Sequence, residues 1–473
     1  MVVSSLEYWV SGIWSQSPSH LAFEVALLVF IVILLLRKPK VIKDPKDELT
    51  VEEEDAIIAA WKPAPPVPND LPADADLSIL NTHVVSSGPS DTIVVDDVKA
   101  LNFATPNYFG LNMNPEITEA AQKAIDHYAV GACGPRQFYG TMDAHLDLEK
   151  AIAQWTSCED SVNYCYPFAT TTSLIQAFIR NTDILFVDEG SWFAVQLGAE
   201  LTRSKVVLYK HNDMGDLRNK VIENRKTFAR WSKVNRWVAT EGLFANDGTI
   251  VDLPALIALR EELCLRILID ETHSFGSLGK TGRGVCELYN IDRSKIEVCI
   301  GSLGTCFASL GGFTIGTKEV CDHQRLASHA YIFSASPPPF NVVAASKAVE
   351  IVEKDGSSRI NTLQKNIATA RNALRGLPNF EVVSDERSPL IHLRYTKEIS
   401  LVEENNLLTK IVDNALLDKQ NPTAVVKSKY VRTRDRKAPR PTIKFFVSPA
   451  HSESQIINAG KAIKNAIEKA LSH

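Results

Sequence analysis

From about residue 96 onward, short runs of β-branched and aliphatic residues recur at 184–187, 206–209, 237–239, 265–269 and 298–300, with longer amphipathic stretches between them. Few architectures accommodate that pattern. Runs this apolar are buried on both faces, and the chain between them is long enough to return as helix. The expectation is therefore an α/β fold with a mostly parallel sheet covered by helices. Ligands of such sheets collect in the crevice at the strands' carboxyl ends. From 341 a long helical stretch leads to shorter apolar runs at 380–383, 390–393 and 443–447 and a closing helix. This predicts a large domain over 96–340 and a smaller α+β domain over 341–473.

The first ninety-five residues obey different rules. Residues 21–36 are almost wholly apolar, with Glu24 as the one carboxylate, near the end of the run where it is cheapest. At about 1.5 Å per residue the run reaches roughly 24 Å, a short membrane span suited to the thinner endoplasmic reticulum bilayer. No Lys or Arg precedes it, whereas Arg37, Lys38, Lys40, Lys43 and Lys46 follow. That asymmetry argues for a retained anchor rather than a cleaved signal, with the N-terminus lumenal and the main body cytosolic. Leu6, Trp9, Val10, Ile13 and Trp14 recur at helical spacing, which fits either a lumenal interfacial segment or ordinary apolar padding. Residues 1–46 are thus read as amphipathic segment and anchor, and 47–95 as a linker. In the linker, Thr50 and Glu53 form a capping-box pattern ahead of a short helix. Pro63, Pro65, Pro66, Pro68 and Pro72 then make an extended spacer.

A formal net charge of −5 provides no basic footprint for nucleic acid. The eight cysteines lie between Cys133 and Cys321 without a CxxC pair or a Cys/His spacing suited to zinc, which points to free thiols in a reducing compartment and to no metal site.

The 265–269 run ends in Asp270-Glu271-Thr272-His273-Ser274, so a carboxylate and an imidazole leave the sheet at its ligand-binding edge. Pyridoxal phosphate (PLP) chemistry needs a carboxylate there to keep the pyridine nitrogen protonated. Three further motifs accompany it: Asn102-Phe103-Ala104-Thr105-Pro106-Asn107-Tyr108-Phe109-Gly110-Leu111, the glycine-rich 131–141 with His145 to Glu149 behind it, and the Gly311-Gly312 pair. With these, residues 102–451 resemble the α-oxoamine synthases, fold-type I PLP enzymes that condense an amino acid with an acyl-CoA.

The departures from that family carry more information than the matches. The resemblance implies a coenzyme-tethering lysine six residues before the Gly-Gly pair. Thr305 stands there instead, and no lysine lies between Lys295 and Lys318. A hydroxyl makes no Schiff base. Trp192 stands where active relatives carry a ring-stacking histidine. Lys444 stands where an arginine often grips the substrate carboxylate, and an ammonium does not reproduce a guanidinium fork. Asp270 and His273 are accordingly expected to be remnants, bonded within a core or interface.

Lost lysine, anchor and proline spacer together are similar to the non-catalytic large subunits of the serine palmitoyltransferases in this family. The resemblance implies a dimeric arrangement with shared sites. A lysine-bearing partner subunit would hold PLP covalently and condense L-serine with palmitoyl-CoA, and small regulatory membrane subunits would be attached. This chain would contribute a rim to the partner's site through Cys133, Phe138 and Tyr139 in one segment and Phe333, Ser334 and Ser336 in another, with the three prolines after Ser336 holding the second segment extended. Two alternatives stay open. One is an active homodimeric synthase using another lysine, such as Lys280. The other is a membrane scaffold with no part in catalysis.

Overall fold

The computed structural model describes residues 18–36, 49–63, 82–228, 231–430 and 438–472. Two compact units divide the chain at Ala73/Asp74. In the first, Pro18–Leu36 is a helix of 19 residues, long and apolar enough to cross a membrane. A second helix, Val51–Ala60, starts at a capping box. The Thr50 hydroxyl accepts from the Glu53 N–H at 3.3 Å, and the Glu53 carboxylate accepts from the Thr50 N–H at 2.9 Å. The basic flank after residue 36, the apolar repeat from Leu6 to Trp14 and the spacer prolines beyond Pro63 fall outside the described residues.

The second unit opens with a hairpin, β1 (Thr92–Val95) and β2 (Val98–Asn102), so sheet structure begins inside the 47–95 range read from sequence as linker. Its two-residue turn places Asp96 and Asp97 at φ of 48° and 64°, the left-handed pair that matches strand twist. The main sheet is built from β3 (Asp160–Tyr164), β4 (Ile184–Asp188), β5 (Lys205–Tyr209), β6 (Arg236–Glu241), β7 (Arg266–Asp270), β8 (Val298–Ser302) and β9 (Gly312–Gly316). Their spatial order is β3-β9-β8-β7-β6-β4-β5. Only β9 opposes the other six in direction. Every residue of β4 and β8 is buried, as expected for strands covered on both faces.

Strand order reverses between β4 and β6, since β5 lies outside β4 while β7 and β8 continue beyond β6. The connections leaving those two paired neighbours therefore run in opposite directions, which puts a crevice outside their carboxyl ends. The 35-residue helix Pro339–Ala373 packs on helices Pro115–Tyr128, Asp143–Thr156 and Glu453–Leu471. It leads to an antiparallel sheet of β10 (Phe380–Val382), β11 (Leu390–Tyr395), β13 (Val426–Lys427) and β14 (Ile443–Phe446), while β12 (Thr423–Ala424) runs parallel beside β2. This is a large domain with a mixed, mainly parallel sheet and a smaller α+β domain.

A candidate cofactor site without a cofactor lysine

Asp270 ends β7 in the crevice, fully buried, and accepts three hydrogen bonds from within the chain. Oδ2 accepts from the Thr171 hydroxyl at 2.8 Å and from the indole Nε1 of Trp192 at 3.0 Å. Oδ1 accepts from the Thr272 N–H at 2.9 Å. Burial raises the Asp270 pKa, and these donors pull it back. Trp192 precedes the helix Phe193–Leu201, and its backbone N–H is fixed by Glu241 Oε1 at 2.6 Å. Glu241, at the end of β6, also accepts from the Ala245 N–H at 3.0 Å. Burial, and then the neighbouring Asp270, push its pKa well up.

Thr305 lies in the single turn Leu303–Cys306 that follows β8. Its hydroxyl donates back to the Thr272 carbonyl at 2.7 Å. His273 shares a hydrogen bond with the Tyr108 hydroxyl at 2.9 Å, and burial, with Lys444 second, lowers its pKa to about 3. Lys444, in β14, donates to the Ala245 carbonyl at 2.8 Å, and burial lowers its pKa to about 8 against the pull of Glu241. Lys280 is exposed. The residues present do not fit PLP. The tethering position carries a hydroxyl bonded to a carbonyl, and the carboxylate that would hold a ring nitrogen already holds an indole N–H.

The two rim segments are joined to one another. Pro135 and Ala335 form a β-bridge, and Ser336 donates from its N–H (3.0 Å) and its hydroxyl (2.9 Å) to the Gly134 carbonyl. Gly140 is required at this junction, because a Cβ there would lie 2.0 Å from the Gly134 oxygen. Behind the junction, buried Arg136 donates to Glu149 at 2.9 Å and Asn163 at 2.8 Å, with its guanidinium 5.1 Å from the Tyr331 ring centre. Gln137 donates to the Arg325 carbonyl at 2.7 Å.

In front of the junction, apolar surface faces solvent: Phe138 is 57% exposed, Phe333 69%, and Tyr139 fully. Cys133 is exposed with φ of 56°. Two details differ from the sequence reading. Phe333 closes the short helix His329–Phe333, so only the following residues are extended, and Ser336 is buried and turned to its own chain rather than outward. Ser334 is half-buried, and its hydroxyl makes a 3.3 Å contact with the Ala335 carbonyl. The pattern missed Glu241, whose Thr240-Glu241-Gly242 setting matches no motif; its position at the end of an apolar run was the available signal.

Residues 98–458 match the family described as aminotransferase class I and II. Serine palmitoyltransferase 1 of Dictyostelium discoideum is 37% identical over 471 residues, 97% of this chain and 96% of that protein. The chain belongs to the serine palmitoyltransferase 1 family. Long chain base biosynthesis protein 1 of Arabidopsis thaliana, 35% identical over 96% of this chain and 92% of its own length, is a further relative of this family member. Among solved structures, the Sphingomonas wittichii serine palmitoyltransferase superposes with a TM-score of 0.74 at 19% identity, covering 89% of this chain and 96% of that one. The 8-amino-7-oxononanoate synthase of Francisella tularensis gives 0.63 at 20% identity, over 78% and 98%. The fold of this serine palmitoyltransferase 1 family chain is that of the fold-type I PLP-dependent transferases.

Proposed function

We propose that this chain is the non-catalytic subunit of a heteromeric serine palmitoyltransferase. In that assembly a lysine-bearing partner condenses L-serine with palmitoyl-CoA to 3-ketosphinganine, CO2 and CoA, the entry step of sphingolipid synthesis. The observation that carries the reading is Thr305, a hydroxyl at the lysine position whose proton is committed to the Thr272 carbonyl. Membership of the serine palmitoyltransferase 1 family supports the substrate class. The exposed apolar rim supports a shared site over a passive scaffold, because Phe138, Tyr139 and Phe333 expose aromatic rings on two segments that a β-bridge and polar bonds tie together.

In this reading the partner binds PLP covalently and this chain contributes the rim: Cys133, Phe138 and Tyr139 wall an acyl-CoA path, and Phe333 and Ser334 face the partner's site. Trp192, Asp270, His273, Thr305 and Lys444 form the vestigial site. The Pro18–Leu36 helix anchors the assembly in the endoplasmic reticulum membrane with the N-terminus lumenal, beside small regulatory membrane subunits. Affinity purification of the full chain from its own membranes, with mass identification of what remains bound, tests the proposal. A stoichiometric homologue carrying a lysine before its Gly-Gly pair is expected. A homo-oligomer with condensation activity of its own would overturn the assignment.

A further inference from the structure

A PLP ring held in this fold presents a protonated aromatic nitrogen to the strand-end carboxylate. Here an aromatic N–H already meets that carboxylate, and it belongs to the chain. Trp192 Nε1 lies 3.0 Å from Asp270 Oδ2, with Thr171 and Thr272 supplying the remaining donors. The indole's aim is set by a fixed turn. Asp188 accepts from the Gly190 N–H at 2.8 Å, Asn246 donates to the Gly190 carbonyl at 3.1 Å, and Glu241 holds the Trp192 N–H. Gly190 is required there, since a Cβ would fall 2.3 Å from the His211 ring. The Phe168 ring stands edge-on to the indole, 6.0 Å away at 86°.

We infer that Trp192 is a built-in occupant of the ancestral coenzyme cavity, a planar aromatic N–H donor seated on Asp270, and that removing it leaves a binding site for a free heteroaromatic N–H donor. Coenzyme is then excluded from this chain at two positions, the missing amine and the filled ring site. The inference concerns this chain's own cavity and holds whichever subunit carries PLP.

The probe is indole, with 1-methylindole as the control that keeps shape and loses the N–H. Full-length chain, solubilised with whatever partner co-purifies, is heated and the fraction remaining soluble is measured. Trp192→Ala is expected to lose solubility several degrees below the natural chain. Millimolar indole is expected to recover at least half of that shift, 1-methylindole far less, and the natural chain is expected not to respond to either. Equal recovery by both compounds would reduce Trp192 to simple packing and overturn the inference, as would recovery by neither. Should Trp192→Ala fail to accumulate, Trp192→Phe serves: it keeps a ring but drops the N–H, so a lowered midpoint is expected and an unchanged one refutes the proposal.

Discussion

The Asp270 cluster and the Gly134 junction treat their side chains in opposite ways. Around Asp270 the donors and acceptors are turned on one another, and the half-buried Trp192 ring meets the carboxylate. Around Gly134 the polar groups face backward, into Arg136, Glu149 and Ser336, and the aromatic rings are left in solvent. The first spends its strand-end carboxylate on its own chain, while the second is a hydrogen-bonded base that leaves aromatic rings in solvent.

Breaking the base of the rim should have the largest effect. Arg136→Ala leaves Glu149 buried with one cationic partner fewer, and breaking a buried pair in this way costs about 3–5 kcal/mol. Urea unfolding should detect it, and Arg136→Lys should restore only part, because an ammonium has no counterpart of the Nε that holds Thr141 or of the flat guanidinium over the Tyr331 ring. Removing the exposed rings is expected to act differently. Phe138→Ala with Phe333→Ala should leave the chain's own unfolding midpoint unchanged yet weaken partner retention by about 2–4 kcal/mol, read as loss of co-purified partner and of condensation activity.

In the closed site, Thr305→Lys expressed without a partner should yield no borohydride-reducible pyridoxyl group, since Trp192 and Lys444 remain in place. The closed site should also show itself in acid stability. His273 takes up its proton near pH 6.5 when unfolded but only near pH 3 when folded, so its contribution is full above 6.5 and is lost as pH falls toward 3. Over that interval His273→Gln should flatten the stability-against-pH slope by about 1.4 kcal/mol per pH unit, as measured by denaturant melts at stepped pH.

Much of this was legible in the sequence because it is local. The strands at 184–187 and 265–269 announce themselves as apolar runs, and the capping box at Thr50 is a four-residue pattern. The missing amine at Thr305 needs only a spacing from Gly311-Gly312. The rest depended on contacts far apart in the chain. Trp192 reads as a lost histidine, yet what it does is set by Asp270, 78 residues on. Ser334 and Ser336, two apart in an extended stretch, read as facing the same way; Gly134, 202 residues before Ser336, turns it inward. Glu241 carries no motif and matters only because β4 and β6 are neighbours at the point where strand order reverses.

The account stands or falls on where the coenzyme is attached. Borohydride reduction of the assembled, natural complex followed by peptide mapping should place every pyridoxyl group on a partner lysine. A pyridoxyl group on Lys444, Lys280 or any other lysine of this chain would contradict it.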